Sequence, residues 1–164
     1  MRDAQRGSER AVEALFRRHW RPAYRAAYLI VRDSAAAEDI AQEAFLSALR
    51  GLQRFDRRRP FAPWLHRIVV NRAIDWSRAR ALRREVPENV AVPTAPPQDQ
   101  ADDPHSSDLD EVVASLPPEQ RAVVVMRYLL EYTPGEIAKM LEVPRGTVNS
   151  RLRRGLDHLK DRLE

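Results

Sequence analysis

The run from Thr133 to Leu159, TPGEIAKMLEVPRGTVNSRLRRGLDHL, constrains this chain more than any other stretch. Thr133, Pro134 and Glu136 form a capping box, with Thr133 at the N-cap, Pro134 at the first helical position and Glu136 at the third. Ile137 and Leu141 give that short helix one apolar face. Pro144 then predicts a break, because proline disfavours helical geometry in the residue before it. A second helix follows, with Val148, Leu152, Leu156 and Leu159 on one face. Its other face carries Arg145, Asn149, Ser150, Arg153 and Arg154. An apolar stripe backed by Arg, Asn and Ser suits a recognition helix in a DNA major groove. Arginine reaches guanine edges or phosphates, and Asn and Ser read edges or hold register. The plainer reading, a helical hairpin with a solvated basic face, leaves the capping box, the break and the polar second helix as coincidences.

Charge is unevenly distributed. Residues 1–84 hold 19 Lys and Arg against 9 Asp and Glu. Residues 85–108 hold 6 acids and no Lys or Arg, and residues 109–164 hold 9 of each sign. The bridge contains Pro87, Pro93, Pro96, Pro97 and Pro104 and lacks apolar surface to bury. It reads as a flexible linker, residues 86–107, between two all-helical domains at 8–85 and 108–164. The chain has no cysteine, so disulfides and cysteine–metal sites are excluded. Its four histidines, His19, His66, His105 and His158, show no metal-ligand spacing. No catalytic constellation, metal site or cofactor motif is legible, so the chain is not expected to be an enzyme. No apolar run is long enough for a membrane span, and the first residues lack a signal-peptide core, so a cytoplasmic protein is expected.

Three helices are predicted in the first domain. The first runs from about Ser8 to Val31, with Val12, Leu15, Phe16, Tyr24 and Tyr28 inward and Pro22 as a kink. Asp33 and Ser34 offer a cap for the second, which runs to about Leu52 with Ile40, Ala44, Phe45 and Leu49 inward. Pro60 opens the third, which reaches about Arg84. Its apolar set is Phe61, Trp64, Leu65, Ile68, Val69 and Ile74. Phe61 and Trp64 fit that stripe and are assigned to the core. Arg78, Arg80, Arg83 and Arg84 suit phosphate contacts or a solvated basic helix end.

The run AEDIAQEAF at 37–45, Phe55-Asp56, and FAPWLHRIVVNRAID at 61–75 resemble domain 2 of the bacterial extracytoplasmic-function (group IV) sigma factors. LPPEQR at 116–121, Gly146-Thr147-Val148 and Ser150-Arg151-Leu152 resemble domain 4 of the same family. The resemblance covers residues 11–84 and 109–162. It implies a transcription initiation factor that binds core RNA polymerase and directs it to promoters. Asp39, Gln42 and Glu43 match the face that docks on the polymerase clamp helices, and their spacing puts them together on one side of a helix. The loop 55–61, with Phe55 and Asp56 foremost, and His66, Arg67 and Asn71 on the following helix match the reader of the single-stranded −10 element. Arg145, Thr147, Asn149, Ser150, Arg151, Arg153 and Arg154 match the helix that reads the −35 element as duplex. The implied partners are core RNA polymerase, promoter DNA and an anti-sigma factor.

The chain departs from the family pattern in places. Glu131-Tyr132 stands where many relatives have Gly-Leu, and Arg145 replaces a frequent aliphatic residue. Asn149 replaces a frequent Lys or Arg, and Gly155 a usual Ala. A flexible 22-residue linker spans about 25 Å. The promoter elements lie ~50–70 Å apart, so polymerase is expected to set the geometry by stretching the linker. Two rival readings are a stand-alone helix-turn-helix regulator, which would bind duplex sites without polymerase, and a decoy that sequesters a protein partner and makes no DNA contact.

Overall fold

The computed structural model describes residues 1–84 and 106–163. The expected flexibility of the linker falls on residues outside that range, although its last two residues, Ser106 and Ser107, are already helical. The described residues form α1 (Arg2–Gln5), α2 (Glu9–Val31), α3 (Ser34–Gly51), a 3-10 turn (Leu52–Arg54), α4 (Phe61–Arg84), α5 (Ser106–Ala114), α6 (Pro118–Tyr128), α7 (Pro134–Leu141) and α8 (Arg145–Leu163). No strand occurs among them. No helix among them is long and apolar enough to cross a membrane.

Helices α2, α3 and α4 pack mutually into a bundle. Ser8 caps α2 by accepting from the Ala11 amide, and Asp33 caps α3 by accepting from the Ala36 amide at 2.9 Å. Alanines line the contact: Ala23, Ala26 and Ala27 on α2, Ala41, Ala44 and Ala48 on α3, all fully buried. Small side chains let helix backbones approach closely. Ile30, Leu65, Val69 and Val70 fill the remaining space. Pro22 lies inside α2 on its exposed side, where the carbonyl it leaves without a helical donor meets water.

One expectation for this half is corrected. Phe16 is 41% exposed rather than inward. It ends an aromatic row along α2, stacked on Trp20 at 4.9 Å and tilted against Phe45 at 5.0 Å. Helix α1, ahead of Ser8, also packs on this half. Gln5 donates through one amide nitrogen to the carbonyls of Leu52 (2.9 Å) and Phe55 (3.0 Å), and Gln53 donates back to the Gln5 carbonyl. Gly7, at φ +85°, turns the chain between α1 and α2.

The second half packs α6, α7 and α5 around α8. The capping box forms as expected: Thr133 accepts from the Glu136 amide, and the Glu136 carboxylate accepts from the Thr133 amide at 2.8 Å. The α7–α8 break is made by Glu142 itself, in the left-handed region at φ 55°, before Pro144 is reached. On α8 the buried positions are Val148, Leu152, Gly155 and Leu159, while Leu156 is 41% exposed. The expected stripe is therefore off by one at its third position. Glycine at 155 lets α6 come close: a Cβ there would stand 3.1 Å from Val124 Cγ2.

The halves are also packed against each other, α6 on α2 and α4, and α7 on α4. This is why α4 is buried on more than its expected stripe. Phe61, Leu65, Val69 and Ala73 form one buried row, and His66, Val70, Ile74 and Ser77 another. A central tie is Arg121. Its guanidinium donates to the Ile30 carbonyl across the interface and to the Ala114 and Leu116 carbonyls at 2.7 Å within its own half. Burial, then the neighbouring charge of Arg32, lowers its pKa to about 10, so it remains a cation at neutral pH.

Candidate nucleic-acid and polymerase interfaces

On α8, the buried side holds the helix against α6 and α7 and leaves the opposite row free. Arg145, Asn149 and Arg153, each one turn from the next, are exposed, and Arg154 flanks them. Thr147 and Ser150 are half-buried, with the Ser150 hydroxyl donating to the Thr147 carbonyl at 3.0 Å. Arg151 does not belong to the outer face. It turns inward and donates to Glu119 at 2.7 Å, with its side chain 19% exposed.

On α3, Asp39, Gln42 and Glu43 are all exposed, because Ile40, Ala41, Ala44 and Phe45 take the inward positions between and beside them. Gln42 donates to Glu38 at 3.3 Å, and Glu43 lies 4.0 Å from Arg72. The face is polar and acidic on an otherwise basic half.

The loop between the 3-10 turn and α4 is built on aromatic stacking. Phe55 stacks on Trp64 at 4.7 Å and meets Phe61 edge-on at 6.0 Å. Asp56 accepts from the Arg58 amide and guanidinium, and those bonds hold its carboxyl below the usual carboxylate range. A cleft of about 640 Å³ opens beside this loop, lined by Phe55, Trp64, Arg54, Arg59 and Arg67 and also by Lys139 and Met140 of α7. Aromatic faces beside cations suit an unstacked base with its phosphate. Sequence reasoning placed Arg59 only within the loop 55–61, and it missed Arg54 and Lys139. The first two sit in a run of arginines that offers no periodicity, and Lys139 comes from the other half.

His66 is not open to a ligand in this arrangement: it is 7% exposed, and its Nδ1 lies 2.7 Å from the Tyr132 hydroxyl of the second half. Burial, with a smaller contribution from His19, lowers its pKa to about 4, so the ring is neutral. Burial likewise raises Tyr132 to about 12. His66 Nε2 has no hydrogen-bond partner. Its neighbour Arg67 is exposed but engaged, donating to Glu142 at 2.7 Å. Asn71 is half-buried one turn further on. Of the five residues expected at the −10 element, the structure thus brings Phe55 and Arg67 to one cleft with Asp56. His66 points to the interface of the two halves. Tyr132, one of the departures seen in the sequence, was the only signal of that interface.

A helical bundle with an acidic exposed face, a cation-rich aromatic cleft and a separate helix-turn-helix defines a two-part helical protein with more than one macromolecular surface. Comparison with known proteins narrows this. The family description "Sigma-70 region 2" matches residues 15–83, and "Sigma-70, region 4" matches residues 106–159. The chain is 38% identical over 148 residues to the ECF RNA polymerase sigma factor SigM of Mycobacterium tuberculosis (strain H37Rv), covering 90% of this chain and 74% of that one. It is 33% identical over 153 residues to the ECF RNA polymerase sigma factor SigW of Bacillus subtilis (strain 168), covering 85% and 82%. Among solved structures it is similar to CnrH, solved in complex with the cytosolic domain of CnrY, with a TM-score of 0.71, 26% identity, and coverage of 98% and 92%. The fold also matches the sigma factor RpoE of Bartonella quintana, solved in complex with the anti-sigma factor NepR, at a TM-score of 0.77 and 18% identity over 92% and 95%. The chain belongs to the ECF sigma factors of the sigma-70 family. It is a sigma factor that binds core RNA polymerase and directs promoter-specific transcription initiation.

Proposed function

We propose that this sigma factor divides its promoter between its two halves, with α8 reading the −35 element as duplex and the α4 cleft holding the −10 element as single strand. The observation that carries the reading is the row Arg145, Asn149 and Arg153, presented to solvent by a helix whose opposite side is fixed in the core. Arginine and asparagine at one-turn spacing match the donor and acceptor pattern of the major groove. The cleft with Phe55, Trp64 and three arginines supports the single-strand assignment. The exposed Asp39, Gln42 and Glu43 serve as the polymerase-docking face, since an acidic patch repels DNA and suits a basic protein surface. The chain itself carries no catalysis; polymerase supplies it. The protein acts where bacterial polymerase acts, in the cytoplasm. An anti-sigma factor is proposed as a further partner, supported by the complex in which the RpoE relative was solved.

The test is transcription in vitro with core polymerase and this protein on genomic DNA, which yields the promoter sequence. Replacing Arg145, Asn149 and Arg153 by Ala should each cost ~1–3 kcal/mol of binding where the residue reads a base, and relax specificity at that position. Transcription that ignores the −35 sequence in both parent and triple variant sinks the assignment of α8. Tight, palindromic duplex binding without polymerase would favour a stand-alone regulator instead.

A further inference from the structure

The loop that carries Phe55 is held from outside by a segment that precedes the matched sigma-70 region 2, which begins at residue 15. Helix α1 packs on α2 and on the 3-10 turn, with Ala4 buried. Gly7, at φ +85°, and the Ser8 amide, donating to the Asp3 carbonyl at 2.9 Å, close the turn between α1 and α2. A helix end leaves carbonyls short of helical donors. Gln5 supplies them here. Its side-chain amide carries two N–H groups in one plane, and they go to the Leu52 carbonyl at 2.9 Å and the Phe55 carbonyl at 3.0 Å. Gln53 returns a bond to the Gln5 carbonyl at 2.9 Å. Resting on the assignment of the cleft to the −10 element, we infer that Gln5 is a positioning residue for −10 base recognition. It fixes the backbone at Phe55, so that the aromatic wall of the cleft is in place before an unstacked base arrives.

The backbone that Gln5 clamps is the backbone that aims the ring. Its two bonds bracket residues 53–55, and Phe55 leaves the 3-10 turn in an extended conformation, φ −67° and ψ 128°. The Phe55 ring stacks on Trp64 at 4.7 Å. Trp64 in turn rests on the end of α3, where a Cβ at Gly51 would stand 3.1 Å from its Cζ2. The stack is therefore fixed at Trp64 by packing and at Phe55 by hydrogen bonds from α1. Beyond Phe55 the loop braces itself: Asp56 accepts from the Arg58 amide through its side chain and from the Arg59 amide through its carbonyl, both at 3.0 Å. Arg57, Arg58 and Arg59 are all exposed, so burial does little to hold this stretch. A segment with few buried contacts stays mobile unless it is tied. Ordering it in advance removes that cost from the binding step. A wall that keeps its place also cannot adjust to a wrong base, and the difference between right and wrong bases is what selectivity measures.

The experiment uses the full chain as holoenzyme with core polymerase, on the promoter found by the transcription assay. Selectivity is the ratio of open complex formed with the preferred base at a −10 position to that formed with the base changed. The same ratio is measured at the −35 element. A ratio is used because added charge shifts all sequences alike. Gln5→Met keeps the length of the side chain and removes both donors. Gln5→Lys restores a donor by different chemistry. Gln5→Met should lower −10 selectivity about tenfold, as expected for two carbonyls that lose their donors, and leave −35 selectivity and affinity for core polymerase unchanged. Hydrogen exchange of residues 52–61 in the free protein should quicken in the same variant. Gln5→Lys should restore most of both. Unchanged −10 selectivity in Gln5→Met overturns the inference. So does an equal loss in Gln5→Lys, since packing rather than donation then matters, and so does a matching fall in −35 selectivity, which would mean general loosening. Phe55→Ala separates this inference from the reading beneath it. If Phe55→Ala leaves −10 selectivity intact, the assignment of the cleft fails and the role of Gln5 falls with it. If Phe55→Ala relaxes selectivity and Gln5→Met does not, the cleft keeps its assignment and only the positioning role is lost.

Discussion

His66 shows how a single residue couples the two halves to pH. Its pKa in the fold, about 4, lies below the ordinary value of 6.5, chiefly through burial. The unfolded or opened chain therefore binds more protons between those values. Stability is complete above about pH 6.5 and falls as pH drops towards 4, by about 2 kcal/mol between pH 7 and pH 5. His19, also lowered by burial and by Arg18, acts in the same direction. Urea unfolding at the two pH values measures the loss. The variant His66→Gln should flatten most of it, and an unchanged slope in that variant would remove His66 as the cause. Glu131 makes a second case. It is exposed and held at φ 61°, a conformation that costs a β-carbon about 1 kcal/mol and glycine almost nothing. Glu131→Gly should raise stability by at most ~0.6 kcal/mol, because the extra freedom of glycine in the unfolded chain, about 0.4–1 kcal/mol, offsets most of the strain relieved. A lower melting temperature would show that the Glu131 side chain contributes more than its exposure suggests.

Among the elements, α3 separates its two tasks by face. Its buried alanines and Phe45 hold the bundle, and Asp39, Gln42 and Glu43 project from the other side without touching that core. Replacing Asp39 and Glu43 by Arg should leave the helical signal in circular dichroism intact. It should also abolish co-purification with core polymerase, since like charge against a basic partner costs several kcal/mol. Glu43 neighbours Arg72, so Asp39→Arg alone serves as the cleaner variant, expected to weaken the complex at least tenfold. Polymerase binding at parental strength in both variants would move the docking face elsewhere. Helix α8 divides its labour in the same way, with Gly155 replacing a larger residue where α6 presses in.

For the whole molecule, the contact of the halves has a consequence in solution. A chain of this length packed as one body has a radius of gyration of about 15 Å, well below that of two separated domains on an extended tether. Small-angle scattering at low salt should give a value within a few ångströms of this and show it rising with salt as Arg67–Glu142 and Arg78–Glu119 are screened. A large, salt-independent value would mean that the halves do not rest together. The proposed division of the promoter between the halves, across elements ~50–70 Å apart, requires the opposite state, with the contact broken.

Features governed by local rules were legible along the chain. Asp33 and Thr133 announced two helix starts, because a capping side chain acts on amides only two or three residues away. Periodicity placed α3 and most of α4 and α8, and the motif pairs identified the family. The outward rows Asp39–Glu43 and Arg145–Asn149–Arg153 followed from the same periodicity, since what is left outside a core stripe is exposed. Tertiary structure decided whatever depends on a second surface arriving. Nothing local to His66 marks it as buried; it is buried because Tyr132, 66 residues away, closes over it. Nothing local to Arg151 turns it from DNA; Glu119 does, after α6 has packed on α8. Nor does the α1 sequence disclose that Gln5 props the loop at Phe55. Capping and periodicity are read along one chain segment, whereas a buried histidine or a shared carboxylate exists only once two segments far apart in sequence have met.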